Sequence, residues 1–164
     1  MSSMKSCVHL EFCSKKKMST KKLLDKIKQL EYEIYDDDDL IRDNILNLVD
    51  YIEKDNTPPK VIHAVIHSLY RIFLPLLSKG DLQLQTRELY IRYVNKLIDF
   101  LGHAEPGLQI PSLKILLDLL KSESAFLTIS AGSYQFSNNH FFRIVEGLLD
   151  NENFSEPLKN EFIE

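Results

Sequence analysis

The chain has 164 residues, 44% of them hydrophobic and 27% charged, enough for about one domain with a sizeable core and unlike a disordered tail. Two cysteines, Cys7 and Cys13, exclude a disulfide framework and point to a reducing, intracellular compartment. The net charge of -4 is uneven: residues 1–28 carry eight lysines against Glu11 and Asp25, so +6, and the remainder is -10. A basic head suits an acidic or RNA-rich partner, whereas an acidic body is a poor match for a phosphate backbone.

Residues 1–18 hold Ser and Lys clusters with little apolar periodicity and read as a disordered basic leader. They contain no apolar core of signal-peptide form. From Thr20, the residues Leu23, Leu24, Ile27, Leu30 and Ile34 follow helical spacing, with Ser19 or Thr20 as N-cap. Asp36 to Asp39 break that pattern and suit the start of a second helix, where carboxylates face the positive dipole end. This helix runs through Leu40, Ile41, Ile45, Leu48, Val49 and Ile52 to about Asp55. Asn56-Thr57-Pro58-Pro59 is a turn that places a proline at the next helix's first position.

The stretch from Pro59 to Leu82 is the most informative. It reads as a long helix, apolar almost all the way round, and a helix of that kind is expected to be buried on every side. Its Val61–Leu77 core is interrupted by His63, His67, Ser68 and Arg71, so no uninterrupted apolar run has bilayer length. Pro75 is expected to kink or loosen its last turn, and Gly80 to cap it. A fourth helix starts near Thr86 and buries Leu89, Tyr93, Val94, Leu97, Ile98 and Leu101, stopping at Gly102. A fifth follows Glu105-Pro106-Gly107 with Leu108, Leu113, Leu116, Leu117 and Leu120, and can continue through Phe126 and Leu127. Ala131-Gly132-Ser133 is a loop. Asn138 or Asn139 then caps a helix bearing Phe141, Phe142, Val145, Leu148 and Leu149, and a last helix starts near Ser155. Its pattern runs to the final residue, as expected of the N-terminal part of a longer protein. No segment alternates as a strand would. The expected fold is all-α, antiparallel helix pairs stacked as a HEAT-like α-solenoid over residues 19–164.

No chemistry emerges from the motifs, and no catalytic, cofactor-binding or metal-binding residue is assigned. His63 and His67 share a helix face at i, i+4 spacing but lack a His-Glu-x-x-His motif and a third ligand, so they read as structural histidines with no metal. The four aspartates lack calcium-loop spacing. Ser124 and Ser130 have no Gly-rich elbow and no evident His partner. No phosphate-cradling loop is present, which leaves no expected cofactor. Tyr70, Tyr90, Tyr93, Phe141 and Phe142 fit core positions rather than base-stacking platforms. The cluster Lys15, Lys16, Lys17, Lys21 and Lys22 reads either as a nuclear-import signal or as solvated surface.

Leu69-Tyr70-Arg71-Ile72-Phe73 followed by Gly80-Asp81-Leu82, then Tyr90-Ile91-Arg92-Tyr93 and Tyr134-Gln135-Phe136-Ser137, resembles the N-terminal region of the nucleolar complex protein four family. The similarity covers roughly Ser19 to Glu164, and Ser137 departs from it where the family pattern has proline. The resemblance implies a non-enzymatic scaffold of the nucleus and nucleolus, acting in small-subunit (pre-40S) assembly, rRNA maturation and export, with nucleolar protein fourteen as its partner. The family's partner-binding surface is implied to lie beyond this region, so no binding residue is carried over. The residues alone also admit a generic HEAT-like adaptor in transport or signalling. Direct RNA contact stays open, and no membrane association is expected.

Overall fold

The computed structural model describes residues 18–36, 40–133 and 136–163. Seven helices occupy these residues: α1 (Thr20–Asp36), α2 (Ile41–Glu53), α3 (Pro59–Lys79), α4 (Leu84–Leu101), α5 (Pro106–Ala131), α6 (Asn138–Leu149) and α7 (Glu156–Ile163). No strand occurs among the described residues. Odd-numbered helices neighbour one another in the order α1, α3, α5, α7, and even-numbered helices in the order α2, α4, α6. The two rows pack face to face through α1–α2, α2–α3 and α4–α5. This two-layer stack of antiparallel pairs is an α-solenoid.

Local signals set most boundaries. The Ser19 hydroxyl accepts the Lys22 N–H at 3.4 Å, as an N-cap should. Pro59 and Pro106 occupy first turns, where a missing N–H is harmless. Gly80 ends α3 at φ 70°, and the Asp81 N–H reaches back to the Leu76 carbonyl at 2.9 Å. One expected cap lies largely outside the described residues and another is corrected. Asp36 closes α1, Asp37 to Asp39 lie outside the described residues, and the N-cap position of α2 is Leu40, with no side-chain acceptor of its own. For α6 the N-cap is Ser137, not Asn138 or Asn139, and its hydroxyl turns instead to Glu123.

Helix α3 is the hub, packed against α1, α2, α4 and α5. Val61, Val65, Ile66, Leu69 and Phe73 are fully buried, and Phe73 stacks on Tyr93 with ring centroids 5.5 Å apart. By length and mean hydropathy (21 residues, 1.5) α3 would pass as a membrane span, contrary to the sequence expectation, yet half of that stretch is buried inside this fold. The expectation of burial on every side is also corrected. Lys60, His63, His67, Arg71 and Pro75 follow one another at steps of three or four and form a wet stripe along α3, with His67 half-buried and the other four exposed. The helix continues through Pro75 to Lys79. Pro75 leaves the Arg71 carbonyl without its helical donor, and the Tyr35 hydroxyl approaches that carbonyl at 3.4 Å.

Polar latches join neighbouring helices. Arg71 grips both carboxylate oxygens of Glu31 (2.6 and 2.7 Å), and Ser68 donates to the same group. Arg92 binds Glu53 and Asp50, tying α4 to α2. The buried Gln109 amide donates to the His103 and Asn153 carbonyls and accepts from Ser155, fastening the α4–α5 turn to the α6–α7 turn.

Candidate partner-binding groove

Beyond the hub, the end of α3, the face of α4, the last turns of α5 and the start of α6 enclose a groove of about 490 Å³. That volume lies within the range of ligand pockets. Leu77, Leu82, Ile91, Val94, Phe126 and Leu127 make it apolar. Arg87 and Arg143 stand on it as well, and Arg143 donates to Asn95. Gly80 shapes one edge: a Cβ there would sit 2.3 Å from the Phe126 ring, and the positive φ is itself hostile to side chains. The Gly80-Asp81-Leu82 run therefore has a physical reason to be as it is, a left-handed cap under an aromatic ring.

A polar cluster supports the groove from below. The Tyr90 hydroxyl and the Ser137 hydroxyl both donate to the Glu123 carboxylate, and His140 Nδ1 lies 3.0 Å from it. Burial works to raise the pKa of Glu123, but the hydrogen bond and charge of His140, with Tyr90 and Ser137, outweigh it and hold the carboxyl below its ordinary 4.5. Burial, then the Glu123 charge, push the Tyr90 phenol far up. His140 is 6% exposed, and its Nε2 has no hydrogen-bond partner among the described residues. A carboxylate-oriented imidazole is one half of a general-base pair. The second half needs a hydroxyl on Nε2, and among the described residues none is bonded there. The two serines of the cluster are engaged elsewhere: Ser124 accepts the Ser137 N–H, and the Ser137 hydroxyl donates to Glu123.

The residues singled out in the sequence fall elsewhere. The His63 and His67 rings lie 4.5 Å apart, tilted at 51°, on the wet stripe of α3, where burial and then the charges of His63 and Arg71 lower the His67 pKa. Among the described residues no group of three or more His, Cys, Asp or Glu is placed to hold a metal. Lys21 and Lys22 are exposed on the first turn of α1; Lys15, Lys16 and Lys17 lie outside the described residues, as do Cys7 and Cys13. Ser130 is exposed in the last turn of α5. Phe142, expected in the core, is 62% exposed, because α6 buries His140, Ile144 and Leu148, a stripe with a different heading. The Glu123–His140 pairing escaped sequence reasoning because its members are 17 residues apart on separate helices, with no motif spacing between them.

A two-layer helical stack with an apolar, arginine-flanked groove defines a class: an all-α solenoid of helical repeats. The chain belongs to the family described as nucleolar complex protein 4-like, TPR repeats, whose model matches residues 17–164. No curated protein and no solved structure matches it. The family suggests a role in nucleolar ribosome biogenesis, and its repeats suggest a non-enzymatic protein that binds other proteins.

Proposed function

We propose that this chain is a scaffold region of small-subunit assembly, holding protein partners in a pre-40S particle during rRNA maturation and export. The observation that carries this reading is the family match over residues 17–164, laid on a solenoid that offers extended protein-binding surface. Nucleolar protein fourteen is the partner proposed by family resemblance. The acidic body favours protein contacts over RNA phosphates. Residues 1–18 act as a basic leader and 19–164 as the helical domain. Lys15, Lys16, Lys17, Lys21 and Lys22 serve nuclear import, which the exposure of Lys21 and Lys22 supports.

The test is to deplete the full-length protein and restore it with or without residues 19–164. Loss of small-subunit rRNA maturation on depletion is expected, with no rescue by the shortened form even when it reaches the nucleolus. Normal maturation under depletion refutes the assembly role. Replacing the five lysines with glutamine should leave a fluorescent fusion of residues 1–164 outside the nucleus; unchanged nuclear entry refutes the import role.

A further inference from the structure

We propose that the groove between α4, the end of α5 and the start of α6 docks a short acidic peptide segment of a partner protein, anchored by one or two apolar side chains. The proposal deepens the protein-binding reading above and rests on it. Its floor is apolar, with Leu82, Ile91, Phe126 and Leu127 facing the same space, and Ile91 is 48% exposed on the middle of α4. An apolar anchor would cover that surface.

The charge of the groove selects the rest of the occupant. Arg87 and Arg143 line it and form no ion pair among the described residues. Elsewhere the acidic body neutralises its arginines: Arg71 is held by Glu31, and Arg92 by Glu53 and Asp50. Glu123 also lines the groove, but Tyr90, Ser137 and His140 already engage its oxygens, which leaves it little to offer the two guanidinium groups. Carboxylates of an occupant would meet both arginines with charge-assisted hydrogen bonds. His140 adds an independent sign of a ligand. It lines the groove, is 94% buried, and carries a nitrogen without a partner among the described residues. Such a group is satisfied when an occupant brings a hydrogen-bonding atom to the floor.

An RNA backbone is disfavoured. Two arginines supply few phosphate contacts, and the surrounding body repels a polyanion. A peptide concentrates its negative charge beside its apolar anchor and suits the groove better.

The experiment is a selection of displayed peptides with eight randomised positions on the immobilised 164-residue chain. Expected is enrichment of Asp or Glu next to Leu, Ile, Phe or Met. The enriched peptide, made with a fluorescent label, should bind R87E/R143E at least about tenfold more weakly by anisotropy, with R87Q/R143Q between the two. Unchanged circular dichroism and melting show that both variants fold. No enrichment, enrichment without acidic residues, or binding that survives R87E/R143E within about twofold overturns the proposal. So does displacement of the peptide by short single-stranded RNA at lower concentration than by unlabelled peptide. A dimer in sedimentation that Ile91→Arg abolishes also overturns it, since the face then meets a second copy. In depleted cells, R87E/R143E in the full-length protein should restore rRNA maturation poorly. Full restoration removes the groove from the assembly role and leaves the scaffold reading standing; normal maturation under depletion removes the scaffold reading itself.

Discussion

Single residues fix the groove's edge and its acid sensitivity. Gly80 combines a left-handed backbone with a Cβ site 2.3 Å from the Phe126 ring. Forcing an L side chain into that conformation costs about 1–2 kcal/mol. Phe126 is 37% exposed and can swing aside, so the contact adds less than the backbone does. G80A should therefore lower stability in urea unfolding by about 1–2 kcal/mol, and adding Phe126→Ala should recover only a small part. A loss below a few tenths would mean that the cap is not needed. Glu123 makes a pH argument. The folded state prefers its carboxylate, so its contribution is complete above the unfolded value near 4.5 and fades as acid protonates it. Glu31 and Glu53 are also held low, by hydrogen bonds from Arg71 and Arg92. E123Q is expected to be less stable at neutral pH and to lose less on acidification than the native chain, keeping the acid sensitivity of the other two. Parallel unfolding midpoints from pH 6 to pH 3, in thermal melts of both proteins, would refute the role given to this carboxylate.

At the scale of helices, close approach decides whether a glycine can be replaced. Gly147 lies inside α6, where Gly to Ala ordinarily gains about 0.5–1 kcal/mol. Here a Cβ would stand 2.6 Å from Ile98 Cγ2 of α4. The β-branched side chain has little rotamer freedom in a helix, and overpacking costs about 1–3 kcal/mol. The clash is the larger effect. G147A should destabilise, while I98A/G147A should approach the stability of I98A alone or exceed it, as a double-mutant cycle in urea would show. These helices were legible one at a time. Helical spacing of apolar residues, Pro59, Gly80 and Gly102 marked their spans to within a few residues. Their headings were less legible, because period alone does not say which neighbour comes. Hence Phe142 and Leu149 fit an apolar pattern yet face outward, and α3 carries a wet stripe through Arg71 that Glu31, 40 residues earlier, makes sense of. The groove was the least legible feature, since Arg87, Glu123, His140 and Arg143 meet only after α4, α5 and α6 have packed.

The whole molecule should unfold unevenly, because a solenoid has neighbours but no single centre. Contacts run between adjacent or alternate helices, so each helix is as stable as the few it touches. Helices α3 and α5 touch several others and bury nine residues each. Among the described residues, helix α7 packs on α5 alone, is eight residues long and buries only Leu158. Its other ties are the Lys114–Glu161 pair at 3.0 Å and the Ser155 contact to Gln109. An exposed ion pair contributes no more than about 1 kcal/mol, so Leu158 carries most of the attachment. Large-to-small changes at such a site cost about 2–5 kcal/mol, more than an eight-residue helix can hold in reserve. Leu158→Ala should therefore release α7 locally. Hydrogen exchange should show amides of α7 losing protection while those of α1 to α3 exchange as before, with α3 and α5 slowest in both proteins. If the substitution instead speeds exchange evenly from α1 to α7, the chain unfolds as one unit and the nearest-neighbour account of its stability is wrong.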